Sequence, residues 1–289
     1  MKYVVLILTA FTVTAQNIFK RSFTEKGKGS AFLFSAMVSF VAMTFFIATN
    51  TDWYYSIELL LPSFLFALTY AVASVFSVMA FLYGPLAKTT LIYSCSLLIP
   101  TLYGIIIQGK NNESATTPTL IIGIILLFCA LFFVNYQKRD EGKITLKWII
   151  CVAMAFLCNG LCSVVQVAKQ DFYGNEGNSM FMIVALFMVA IFLLCATFSI
   201  KEQRRYMGVT VKKGWLPGVL CGISNGATNF FIMFLNKSSV PASLTYPVMS
   251  GGGLILIFVY AILIKKERFT SIQYFGYGLG IVALILMNL

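Results

Sequence analysis

Within one apolar stretch, Asn159, Ser163, Gln166 and Gln170 follow one another at steps of four, three and four. A second stretch carries Cys221, Asn225, Thr228, Asn229 and, two turns further, Asn236. Near the start of the chain, Thr14, Asn17 and Arg21 repeat the first spacing, with Gln16 beside them. On a helix each set lies along one face. Amides and hydroxyls can read a polar solute by hydrogen bonds without chemically altering it. In an apolar solvent such groups are costly unless they face protein or a wet cavity. Two readings compete: hydrogen bonds between helices, and the lining of a substrate cavity. Recurrence of the stripe on two separate stretches favours the lining. The expected substrate-binding set is Gln16, Asn17, Tyr70, Tyr93, Asn159, Ser163, Gln166, Asn225, Thr228, Asn229 and Tyr246, the tyrosines supplying walls that stack or donate a hydrogen bond.

Lys20 and Lys169 stand at the ends of the first and second of these stretches along the chain. One reading is a pair of interfacial anchors; the other is a pair of pathway mouths that attract an anionic or carboxylate-bearing solute. In SLTYPVMSGGG (243–253), Pro247 and Gly251, Gly252 and Gly253 interrupt an apolar run with helix-weakening residues. They are expected to act as a hinge that presents backbone to the cavity, or as a seat for close helix packing.

Several chemistries are excluded. The chain has no histidine, which removes Ser-His-Asp and Cys-His catalysis and every histidine-dependent metal site. Its seven cysteines all fall in apolar runs, so no disulfide framework is implied. Cys158 and Cys162 are one turn apart with no acidic or histidine partner, which reads as packing rather than metal binding. No acid occupies the middle of an apolar run, so no proton-carrying carboxylate can be named. No catalytic residue, metal or cofactor is expected.

The elements that position these residues follow from composition. Hydrophobic residues are 59% of the chain and charged residues 11%, against about 25% charged in soluble domains. The solvent must therefore be lipid. Ten runs are long enough to span it: roughly 2–19, 31–49, 58–82, 86–107, 118–136, 146–168, 179–199, 214–236, 240–264 and 270–288. None shows period two, so helices are expected. The first run reads as a retained span rather than a signal sequence. Of 21 basic residues, 17 fall on one side of the ten-span topology. By the positive-inside rule that side is cytosolic and both termini lie outside a plasma membrane crossed many times. The net charge of +11 is mostly this topology signal, not a nucleic-acid-binding surface.

The two halves resemble each other. At an offset of 149, Lys20 and Phe23 match Lys169 and Phe172; at 153, Tyr93 and Gly123 match Tyr246 and Gly276. Each half holds five spans, an odd number, so the second must be inverted. The domains are expected at 1–137 and 146–289, joined by a linker over 138–145. Inverted repeats mark secondary transporters, with the solute site at the midplane between them.

QNIFKRSF (16–23), VPASLTYPVMSGGG (240–253) and KKERFTSIQYFGYGLGIVALILMNL (265–289), in that order and spacing, resemble the drug/metabolite transporter superfamily in its EamA-like, ten-helix branch. The resemblance covers nearly the whole chain. It implies an all-α integral membrane fold and a monomeric or weakly associating carrier of small metabolites. Members carry amino acids, sugars, nucleobases or cations. Related small multidrug carriers use a membrane-embedded glutamate in the first helix, which this chain lacks. The expected function is alternating-access transport of a small polar metabolite, with substrate and lipid bilayer as partners. A passive channel or lipid scramblase is the alternative, and an intramembrane enzyme lacks its acids, bases and nucleophiles.

Overall fold

The computed structural model describes residues 2–25, 29–50, 53–84, 86–110, 118–134, 136, 144–238, 240–263 and 269–287. Most of the linker expected at 138–145 lies outside them, as does the basic cluster at 265–268. Among the described residues every regular element is helical. The first half runs α1 (Lys2–Glu25), α2 (Ala31–Thr49), α3 (Leu60–Tyr83), α4 (Leu86–Cys95), α5 (Leu98–Ile106) and α6 (Pro118–Val134). The second runs α7 (Leu146–Tyr173), α8 (Asn178–Ser199), the short α9 (Lys201–Arg205), α10 (Met207–Lys237), α11 (Ala242–Leu263) and α12 (Ser271–Met287).

Seven helices are long and apolar enough to cross a membrane: α1, α2, α3, α7, α8, α10 and α11. Three shorter apolar segments accompany them, among them α6 and α12 at 17 residues each, about 25 Å of helix. Burial is inverted relative to a water-soluble protein. Phe11, Phe40, Leu61, Phe64, Ile122, Phe192 and Ile285 are exposed, while Thr9, Thr14, Gln16, Lys20, Gln166 and Lys169 are buried. Large contiguous apolar exposure with polar groups turned inward is stable only where hydrocarbon is the solvent. The chain is an all-α, multi-pass membrane protein.

Local chemistry sets the helix ends. The Ser30 hydroxyl accepts from the Leu33 N–H (3.1 Å) and starts α2; Thr145 accepts from Trp148 N–H (3.2 Å) and starts α7. Each satisfies a donor that a first turn leaves open. α7 turns into α8 through Gly174 (φ 72°) and Gly177 (φ 63°), a left-handed backbone that glycine adopts without penalty. α6 packs on α12, α3 on α7 and α8, α1 on α10 and α11, α2 on α8 and α10, and α5 on α7 and α11.

The run expected as one span over 86–107 is two helices. Pro100 has no N–H to give the Ser96 carbonyl. Ser96 C=O accepts instead from Ile99 N–H (3.1 Å), and Leu97 N–H reaches Ser94 C=O (3.4 Å). The Ser96 hydroxyl donates to Tyr93 C=O (2.6 Å). Tight three-residue turns thus separate α4 from α5. By contrast α11 continues unbroken past Pro247 and its three glycines.

Candidate functional site

A polar cluster surrounds the break between α4 and α5. Tyr93, one turn from the end of α4, donates its hydroxyl proton to Asn159 Oδ1 on α7 (3.0 Å). Asn159 Nδ2 donates to Ser96 Oγ in the break (2.6 Å). Both ends of one amide therefore fasten the broken helix to α7. Gly160 makes room for this: a Cβ there would lie 2.7 Å from Ile99 Cβ and 2.8 Å from the Ser96 carbonyl oxygen. Ser163 donates to Asn159 C=O (3.1 Å), and Tyr246 of α11, fully buried, donates to Ser163 C=O (3.3 Å). The two tyrosines related by the offset of 153 thus converge on the same helix.

Further along α7, Gln166 donates to Asn229 C=O on α10 (3.3 Å), and Gln170 to Met233 C=O (3.1 Å). Asn229 folds back on Asn225, donating to its carbonyl (2.9 Å). The hydroxyls of Thr228 and Thr12 are 2.8 Å apart, and the Cys221 thiol reaches Gln16 C=O at 3.7 Å. These bonds stitch α1, α7 and α10 together along their polar faces. Tyr70 bridges two environments: its ring stacks on Phe66 (5.6 Å, 9°) against an apolar cluster drawn from α2, α3, α7, α8 and α10, while its hydroxyl has the Asn225 amide as partner and Cys221 and Tyr93 nearby. Asn17 is half-buried and, among the described residues, makes no hydrogen bond to the cluster.

The two lysines differ. Lys169 is 1% exposed, and its ammonium donates to Gly174 C=O (3.1 Å), Glu176 C=O (2.7 Å) and Asn178 Oδ1 (2.5 Å). It ties down the α7–α8 turn. Lys20 is 5% exposed, and its Nζ sits 5.5 Å from the centroid of the Tyr93 ring. The ionisable groups around it are the Tyr93 hydroxyl and the Cys221 thiol. Among the described residues no carboxylate pairs with it.

Both ends of the cluster are tied. Towards the end holding the α1–α2 turn, Phe23 stacks on Phe34 (4.0 Å, 10°), Ser30 N–H donates to Thr210 Oγ1 (2.7 Å), and Trp148 Nε1–H donates to Thr89 Oγ1 (2.8 Å). At the opposite end Asp171 accepts from the Tyr103 hydroxyl (3.0 Å) and from Gln108 Nε2 (3.2 Å to each oxygen). Gln108 Oε1 in turn accepts the Ala242 N–H that opens α11 (2.8 Å). Asp171, Tyr103 and Gln108 were not among the expected site residues, because each falls at a helix end where a solvated side chain is the default reading. Ser96 was hidden by its small size.

Several buried polar atoms have no partner among the described residues: Gln170 Oε1, both amide atoms of Asn236, and the hydroxyls of Ser243, Thr245 and Ser250. Buried polar groups are normally hydrogen-bonded, and these exceptions lie on α7, α10 and α11.

The glycines of α11 sit where helices meet. A Cβ on Gly251 would lie 2.7 Å from Leu284 Cδ2 and 2.8 Å from Leu127 Cδ1; one on Gly252 would lie 2.8 Å from Ala10 Cβ. Thr14 reaches Gly253 C=O at 3.5 Å. Leucine at all three is expected to lower the melting temperature of the inserted protein markedly, because α1, α6 and α12 must withdraw. An unchanged melting temperature in a correctly inserted triple variant would refute a tight contact here.

No family model matches the chain, and no curated protein matches it. A solved structure described as "Crystal structure of protein" is similar over 98% of this chain and 97% of its own, with a TM-score of 0.73 and 14% identity. At that identity the likeness shows the fold alone.

Proposed function

We propose that the protein is a secondary transporter of a small polar metabolite, built as ten spans in two inverted five-helix repeats. The observation that carries the reading is the polar cluster itself: amides, hydroxyls and a buried lysine gathered around a broken helix inside a lipid-exposed bundle. Broken helices at mid-depth are how transporters offer backbone and side-chain polarity to a solute.

The packing supports the repeat. Exchange α1 with α7, α2 with α8, α3 with α10, the α4–α5 pair with α11, and α6 with α12. The contact of α1 with α10 becomes that of α7 with α3. The contact of α1 with α11 becomes that of α7 with α5, and α2 with α10 becomes α8 with α3. The contacts α2–α8, α5–α11 and α6–α12 map onto themselves. Two pseudo-equivalent halves can exchange conformations, which gives alternating access. In this reading the Asp171–Gln108–Ala242 clasp closes one mouth and the Ser30–Thr210 and Phe23–Phe34 contacts close the other. The sequence resemblance to the EamA-like transporters points the same way, as do a plasma-membrane location and external termini read from charge.

Candidate solutes are found by thermal stabilisation of the purified protein against amino acids, sugars, nucleobases and organic cations, since a ligand of the folded state raises its melting temperature. Each hit is then tested for counterflow in proteoliposomes. Saturable counterflow of a labelled solute driven by its own trapped pool is the expected result. Flux without counterflow would establish a channel and reject the carrier.

A further inference from the structure

We propose that the solute is a monoanion carrying a carboxylate, and that Lys20 is its counter-charge; the inference rests on the transport reading above. Among the described residues two lysines are almost fully buried in the bundle, and their surroundings differ. Lys169 spends its three donors on three oxygens of its own turn. Lys20 has the Tyr93 side chain as a neutral hydrogen-bonding neighbour, with the ring centroid 5.5 Å away, the Cys221 thiol beside it, and no carboxylate partner among the described residues. A buried ammonium without an anion is costly, and buried charges are retained where they pair or bind. The Tyr93 hydroxyl is itself engaged with Asn159 Oδ1 at 3.0 Å.

The chemistry of the solute follows from the charge count. One ammonium compensates one negative charge. A phosphate dianion would bring a second uncompensated charge into the membrane interior, whereas a carboxylate leaves the site neutral. An organic cation would be repelled. Beside Lys20 lie the Tyr93 side chain, whose hydroxyl bonds Asn159, and the Cys221 thiol of α10, polar groups that an uncharged remainder of the solute can meet.

The test uses the full-length protein purified in detergent at neutral pH and constant ionic strength. The probes are acetate, lactate, pyruvate and benzoate, each against its own amide. One or more of the carboxylates is expected to raise the melting temperature with increasing concentration, while its amide does not. Lys20→Gln is expected to weaken that carboxylate by about a hundredfold or more, as loss of a buried partner does. Lys20→Arg is expected to keep most of the response, and Lys169→Met to keep it on a lowered baseline. Equal stabilisation by acid and amide, an undiminished response in Lys20→Gln, or no response to any of the four acids would overturn the proposal. The acid-against-amide comparison stands on the unaltered protein even where Lys20→Gln fails to fold. Binding of a carboxylate that shows no counterflow would remove the carrier reading and leave the anion site. Counterflow of a neutral or cationic solute, unaffected by Lys20→Gln, would do the reverse.

Discussion

Asn159→Leu is expected to cut the initial rate of counterflow by about thirtyfold or more while the protein still inserts and elutes as a single species. Two part-buried polar groups lose their partner together, at about 1–3 kcal/mol each, and about 1.4 kcal/mol is a factor of ten. Asn159 accepts from the Tyr93 hydroxyl and donates to Ser96 in the break between α4 and α5. Leucine has the same branching, is bulkier, and can do neither. The Tyr93 ring, which faces Lys20, would lose the bond that orients it. Stability should suffer less than transport, because the break is also held by its own Ser96 to Tyr93 C=O bond. Asn159→Asp makes a second arm: it keeps the acceptor but places a carboxylate near Lys20, and it should lose anion binding by occupying the counter-charge. Counterflow at the unaltered rate in Asn159→Leu would show that the joint between α7 and the broken helix has no part in transport.

The second large effect is expected from a single methyl group. Gly104 lies where α5 crosses the start of α11, and a Cβ there would sit 2.3 Å from Ser243 N and 3.0 Å from Ala242 C. Those atoms are backbone, so no side chain can swing away; α11 must retreat. Retreat breaks the bond from Ala242 N–H to Gln108 Oε1 and loosens the grip of Gln108 on Asp171. Overpacking of this kind costs about 1–3 kcal/mol, and the freed N–H adds its own penalty. Gly104→Ala should therefore lower the melting temperature clearly. Gly278→Ala is the matched control, because nothing lies within 4 Å of a Cβ there; it should be neutral or slightly stabilising, as alanine favours helix. Equal melting temperatures for the two variants would mean that the α5–α11 crossing is not a tight contact.

Much of the architecture was legible in the residues. An excess of apolar side chains with few charges leaves lipid as the only solvent that suits the surface, and amides at steps of three and four can share only one face. The placement of Gln166 and Asn229 as buried and of Asn159 and Ser163 as half-buried residues on inward faces follows from that periodicity. Less legible was where a helix breaks. Pro247 with three glycines is the louder signal, yet α11 runs through it, whereas the quieter Pro100 coincides with the turns at Ser96 and Leu97. A proline removes one donor wherever it falls; whether the helix parts depends on what takes up the freed groups, and here Ile99 N–H donates to the Ser96 carbonyl while Asn159 Nδ2 donates to the Ser96 hydroxyl oxygen.

The lysines make the division plainest. Sequence by itself determined that Lys20 and Lys169 lie at the ends of apolar runs, since hydropathy is a property of the chain alone. Only the tertiary structure decided that Lys169 is satisfied by the turn at Gly174–Asn178 while Lys20 faces Tyr93 and Cys221 with no carboxylate partner among the described residues. The physical reason is that periodicity specifies which way a side chain points from its own helix, whereas a charge is compensated by whatever another helix brings within a few ångströms of it.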